Sequence, residues 1–324
     1  MLRRLTLVTL ALVAGLVVGC DNDEGQARAP RPAPSGPGRW ATRAPIPTPR
    51  SEVAVAALGG KVHVLGGFGG FGGETRAHEV YAPEADTWAK AADLPRPLNH
   101  AGAAVAGDRL YVVGGYDTAS GQPVADTWAY DPAADRWERR AAMPTARGAL
   151  GVAVVDGRIH AVGGADADGD VTAHEVYTPE ADTWTRAAAL PTARDHLGVA
   201  ALGGKVHAVG GRFRTFARNT AVHEVYDPAS DRWTAGPALP TARSGVAAAV
   251  AGGRLYVMGG EDPDGTFPEN EVLDPATGRW SAAAGLPTPR HGIGAAEVGG
   301  AIIVPSGGPE PGATQTPVNE VFTP

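Results

Sequence analysis

"GVAVVDGRIHAVGGADADGDVTAHEVYTPEADTWTRAA", residues 151–188, is one unit of a repeat, and reading it decides the fold. A short apolar run, GVAVV (151–155), meets Asp156-Gly157, the chemistry of a two-residue hairpin, and returns as RIHAVGG (158–164). A loop follows, then HEVYTP (174–179), a Pro-x-x-Asp turn and the Trp-bearing DTWTRAA (182–188). Nothing here has a helical period; the unit reads as four short strands. Paired glycines end the second run at Gly66, Gly114, Gly163, Gly210, Gly259 and Gly307, in steps of 48, 49, 47, 49 and 48 residues. Trp40, Trp88, Trp137, Trp184, Trp233 and Trp280 keep the same rhythm. A fixed period of this size signals a solenoid or a propeller.

The two ends of the chain complete each other. "RWATRAPIP" (39–47) is a Trp strand preceded only by a Pro-rich stretch, whereas the C-terminal "NEVFTP" (319–324) is a third strand with no Trp strand after it. If the first strand completes the last unit, six units form a ring, and closure removes the free edges that a linear stack would expose.

The double glycine, the "HEVYDP" strand (223–228) and the Trp seven residues after its Tyr make the units resemble kelch repeats. The resemblance spans residues 40–324 in six copies. It implies an all-β fold, a six-bladed propeller with four antiparallel strands per blade, the last blade closed by the N-terminal strand.

Most recurring residues have packing roles in this reading. The Trp side chains fill the space between blades. His63, His160 and His207 occupy the position held by Tyr111 and Tyr256 in other copies, and a position that takes either ring is packing, not metal ligation. The sixth copy, AIIVPSGG (301–308), carries one extra residue and leaves its register open. Arg50, Arg147, Arg194, Arg243 and Arg290 open the first strand of five units, and Glu79, Glu175, Glu224, Glu271 and Glu320 lie on the third strand of the same five. The second unit has Leu98 and Trp128 instead, so both members vanish together. That pattern predicts ion pairs within each blade, replaceable by an apolar contact of similar volume; the rival reading is an arginine ring gripping an anion.

Arg3 and Arg4, the run LTLVTLALVAGLVVG (5–19) and Cys20 read as a secretory signal, and "LVVGC" resembles the lipobox of bacterial lipoproteins. The resemblance implies cleavage after residue 19 and acylation of Cys20, the sole cysteine. The expected address is the cell envelope, with the protein anchored to a membrane and facing the periplasm or the exterior. Residues 20–39 hold no apolar side chain larger than Ala or Pro and are expected to form a disordered tether. With Cys20 set aside, no disulfide or cysteine metal site is available. Beyond residue 39 the chain carries 23 Arg and Lys against 32 Asp and Glu, a net −9 that repels phosphate backbones and argues against nucleic acid as a partner. A monomer without cofactor or metal is expected.

The units differ most in the loops after each double glycine, and function on a rigid scaffold concentrates in such loops. RFRTFAR (212–218) sets Arg212, Arg214 and Arg218 beside Phe213 and Phe216, a basic and aromatic island in an acidic domain. Asn99, His100, Asp195, His196 and His291 follow the strand-opening positions and are expected at the channel mouth. In DADGD (166–170) Gly169 precedes the last acid, the wrong order for an EF-type calcium loop. The expected function is a binding module for protein, peptide or glycan acting through this loop face. The alternatives are a purely structural envelope protein, or a carbohydrate-active enzyme resembling sialic-acid mutarotases, for which Asp195 and His196 are the acid/base candidates. A galactose-oxidase type of site needs a Cys–Tyr crosslink that Cys20 cannot supply if it is acylated.

Overall fold

The computed structural model describes residues 31–324 except 71, 72, 74 and 118; the signal segment and Cys20 lie outside the described residues. Six four-stranded antiparallel sheets surround one axis. Blade three shows the pattern: Gly151–Val155 innermost, then Arg158–Val162, His174–Thr178 and Thr183–Arg186 outermost. Asp156 and Gly157 both have positive φ, as the tight hairpin requires.

Blade six is built from both ends of the chain. Ala296–Val298, Ala301–Pro305 and Asn319–Thr323 pair in order, and Arg39–Arg43 adds the outer strand, with Trp40 opposite Phe322 and Arg43 opposite Asn319. The extra residue of this copy is also placed. Ile303 pairs with Val321 as His63 pairs with Val80. Ser306 (φ 63°) therefore stands where Gly66 (φ 59°) stands in blade one, and Gly307 (φ 104°) where Gly67 (φ 96°) does. The repeat's double glycine is here Ser306–Gly307, one residue earlier than the Gly307–Gly308 of the sequence reading. The Ser306 hydroxyl accepts from Arg50 N and donates to Arg50 O, so the residue that breaks the motif joins blade six to blade one.

The tryptophans bind neighbours to each other. Each indole Nε1 donates to a carbonyl of the preceding blade: Trp88 to Ala44, Trp137 to Ala92, Trp184 to Ala141, Trp233 to Ala188, Trp280 to Pro237 and Trp40 to Ala284, all at 2.8–2.9 Å. The cycle closes on itself. His63, His160 and His207 bond to His78, His174 and His223 on the adjacent strand at 2.8–3.0 Å. The first pair touches Tyr130 and the second Tyr226, both from the next blade.

All five Arg–Glu pairs form, at 2.5 Å for Arg50–Glu79 and Arg194–Glu224 and 2.7 Å for Arg290–Glu320, with Arg147–Glu175 and Arg243–Glu271 equally direct. The arginines are fully buried. In blade three Arg147 reaches over the glycine turn: Nε donates to Gly163 O and Nη2 to Ala161 O, while Thr145 Oγ1 donates to the second oxygen of Glu175. Fully buried and paired with their own glutamates, these arginines are not exposed to grip an anion. In blade two Leu98 packs in the core, with Trp128 partly buried against it.

One segment departs from the sequence reading. Residues 31–38, expected to be part of a disordered tether, lie against blade five. Arg31 pairs with Asp262 at 2.6 Å and stacks over Phe267 at 3.9 Å, and the carbonyls of Pro34 and Pro37 accept from Gly285 and Ala284. Prolines lose little freedom on ordering, so two charged or aromatic contacts suffice to hold the strap. Among the described residues no helix is long and apolar enough to cross a membrane.

Candidate functional site

The turn before each first strand bridges the loop after the same blade's glycines: Ser51 with Phe68, Asn99 with Tyr116, Gly148 with Ala165, Asp195 with Arg212, Ser244 with Glu261 and His291 with Gly308. Both variable regions therefore share one face.

At the axis of that face the residues following those bridges close a ring of backbone hydrogen bonds. His100 N donates to Glu52 O, Ala149 N to His100 O, His196 N to Ala149 O, Gly245 N to His196 O, Gly292 N to Gly245 O, and Glu52 N to Gly292 O. All six residues have φ between 52° and 67°. This left-handed conformation favours glycine and costs other residues of order 1–2 kcal/mol. Glu52, His100 and His196 hold it nonetheless, and such strain clusters where function requires it. Below the ring Val53, Ala101, Leu150, Leu197, Val246 and Ile293 form an apolar collar around a cavity of about 90 Å³.

The ring gathers an ionisable cluster from all six blades. His196 Nδ1 lies 2.6 Å from Asp195 Oδ1, and Arg212 Nη2 donates to His196 Nε2 at 2.8 Å. An arginine can only donate, so Nε2 is the acceptor and Nδ1–H donates to Asp195. The other donors of Arg212 go to Asp195 (3.1 Å) and Glu261 (2.9 Å). His100 Nδ1 sits 2.5 Å from Asn99 Oδ1, leaving Nε2 3.2 Å from Glu52 Oε2. Two lone pairs at that distance repel unless a proton lies between them. Burial pulls His100 down to about 4, with Glu52 partly offsetting it. Burial also pushes Glu52 up, but His100, His291 and His196 together hold it well below the usual carboxylate range. At 3.2 Å a proton on His100 Nε2 faces Glu52 Oε2, so charge on the one favours charge on the other. His291 Nδ1, almost fully buried and without a hydrogen-bond partner, lies 3.5 Å from Glu52 and 3.6 Å from Glu261; although burial opposes its charge, these carboxylates raise its pKa. Asp170 neighbours Asp195: burial first, then Asp195, push Asp170 up to about 6. Asp195 is held at about 2, because His196 and Arg212 outweigh its burial.

Two glycines admit neighbours across blade borders. A Cβ at 292 would lie 2.6 Å from Glu52 Oε1, and one at 148 would lie 2.4 Å from the Tyr116 ring. Tyr116 and Phe68 each present an edge-to-face contact to His100.

Glu52, His100 and His196 bring one ligand atom each within 4.8 Å, a set that resembles a metal centre. Arg212 already occupies the Nε2 lone pair of His196 and is held there by two carboxylates, so a cation at this spot would have to displace a guanidinium. The donor set does not fit a metal.

Of the residues expected at the site, the structure brings together Asn99, His100, Asp195, His196, His291 and Arg212. The rest of the island stays on its own hairpin, Arg212–Phe213 with Thr215–Asn219. Arg214 turns away to donate to Asp168 O, and Arg218 lies over Phe213 at 5.6 Å. Sequence reasoning missed Glu52, Glu261, Asp170, Tyr116 and Phe68. Glu52 carried a signal, since it stands two residues after Arg50 as His196 does after Arg194.

The comparisons agree with this architecture. The kelch motif matches residues 49–95, 97–144, 193–240 and 242–287, more than half of the chain, and the chain belongs to the kelch-repeat family, a fold typically used as a protein-interaction module. No curated protein sequence matches it. Among solved structures, one titled "Structure of YjhT" is similar with a TM-score of 0.73 and 16% identity, covering 86% of this chain and 95% of that one. At that identity the likeness concerns the fold alone, and folds host many functions.

Proposed function

We propose that this propeller is a binding module that takes its protein, peptide or glycan ligand at the axial end of the loop face, and that Cys20 anchors it by lipid to a membrane of the cell envelope. The observation that carries the first part is the convergence of Glu52, His100, Asp195, His196, Arg212, Glu261 and His291 over a strained backbone ring. The ring does not need Glu52, His100 or His196: Ala149 and Gly245 serve the same positions. The polar residues are held rigidly, with Phe68 and Tyr116 offering aromatic edges, a composition suited to recognition. A glycan array and a pull-down with the full-length chain test it. Recovery of a ligand whose binding survives Asp195→Ala together with His196→Ala would move the site elsewhere. For the anchor, Cys20→Ser should leave a soluble or unprocessed form, and a variant that is processed normally and still partitions wholly with membranes refutes acylation.

A second reading rests on the 3.2 Å contact between Glu52 and His100, an acid/base pair. An enzyme of this type would speed anomer interconversion of a reducing sugar, visible by proton NMR. Unchanged exchange rates across a sugar panel eliminate it. The Nε2 atom of His196 is already engaged by Arg212, so this reading places the chemistry on Glu52 and His100.

A further inference from the structure

Two side-chain oxygens at the axial site are acceptors left unspent. Arg212 donates from each of its three nitrogens, to Asp195, Glu261 and His196. The buried Oδ1 atoms of Asp170 and Asn219 have no hydrogen-bond partner. Asn219 gives its Nδ2 to Glu261 O, so its unsatisfied oxygen lies beside the same cluster. Four carboxylates, Glu52, Asp170, Asp195 and Glu261, share the site with one arginine. A buried acceptor without a donor is unfavourable by about 1–3 kcal/mol, and two neighbouring carboxylates repel unless a cation or proton separates them.

We propose that the axial site recognises a protonated primary amine, seated between Asp170 and Asp195. The inference deepens the binding function proposed above and rests on it. An ammonium brings three donors and one charge, enough to satisfy Asp170 Oδ1 and relieve the repulsion between the two acids. An anionic ligand meets the opposite situation, since the four carboxylates outnumber the one Arg212 guanidinium, which already serves Asp195 and Glu261. Arg214 tunes the site from its edge: its guanidinium packs against Gly169 and is one of the charges felt by Asp170. The amine could be carried by an amino sugar or by a lysine side chain, and small probes separate the two.

The test is calorimetric titration of the full-length chain at pH 7 with D-glucosamine, N-acetyl-D-glucosamine, D-glucuronate and Nα-acetyl-lysine amide. At least one amine should bind tenfold or more tighter than both the N-acetyl sugar and the glucuronate; glucosamine identifies a sugar source, the lysine derivative a peptide source. Asp170→Asn should weaken that amine at least tenfold. Arg214→Ala, which removes a competing cation, should tighten it several-fold, and opposite effects of the two variants cannot both come from misfolding. Glu180→Gln, an exposed acid outside the site, should change nothing. Equal affinity for glucosamine and its N-acetyl form, preference for glucuronate, failure of both amines, or full affinity in Asp170→Asn each overturns the proposal. Loop-face binding of neutral glycans that ignores Asp170→Asn would overturn the amine and leave the binding module standing.

Discussion

Glu52, His100, Ala149, His196, Gly245 and Gly292 share one backbone conformation, and only two of them are the residue it favours. Substituting those two glycines separates strain from site chemistry. At Gly245 a Cβ meets nothing closer than 3.4 Å, so Gly245→Ala should cost only the conformational strain, about 1–2 kcal/mol. Gly292→Ala carries the same strain and also drives a methyl group into the Glu52 carboxylate. It should lose more stability in urea denaturation and weaken ligand binding, whereas Gly245→Ala should leave binding intact. The Arg–Glu pairs allow a second comparison at this scale. Arg147→Leu or Glu175→Trp alone strands a buried charge and should cost about 3–5 kcal/mol. The double variant, which copies blade two of this chain, should cost far less than the two summed. Additive losses in a double-mutant cycle would refute the pairing.

Strand by strand, the ring depends on one short element. Arg39–Arg43 supplies the outer edge of blade six and places Trp40 to donate to Ala284, closing the cycle of indole contacts. Deleting residues 40–46 should expose an edge, break that cycle and lower the melting temperature of the whole domain, not of one blade; an unchanged melting temperature would rule out the closure. This pairing was legible because each half of the last unit carries its own signature, NEVFTP at one end and a Trp strand at the other. The register of the second strand in blade six was not, because Ser306 does at φ 63° what glycine does elsewhere, and a hydroxyl that bonds back to Arg50 is invisible to a glycine pattern. The site divides in the same way. His100 and His196 were legible from their offset to the strand-opening residue. Asp170, Glu261 and Tyr116 were not, because they reach the axis along loop paths that no periodicity encodes.

Across the molecule, three blade borders hold paired buried histidines, and together they make stability depend on pH. Burial pulls His63, His78, His160, His174 and His207 down to about 4 and lowers His223 as well. In the unfolded chain the same rings titrate near 6.5. Between those values the unfolded form binds more protons, so this stability is fully present above about pH 6.5 and is lost as pH falls toward 4. Melting temperature should drop steadily over that window, and less steeply in His160→Tyr with His174→Thr, the pair that blade two already carries as Tyr111 and Thr127. A flat profile would show that the pairs are not neutral. The strap of residues 31–38 also acts at the scale of the whole molecule. Its first described residue, Arg31, lies against Asp262 on the loop hairpin of blade five, at the face that carries the site. With Cys20 acylated as proposed, the ten residues between it and Arg31 reach at most about 35 Å. The pocket is then confined to a thin layer above the bilayer. There it meets ligands borne on the same membrane at the raised effective concentration that a short tether imposes, so an affinity that looks weak in free solution is enough for capture.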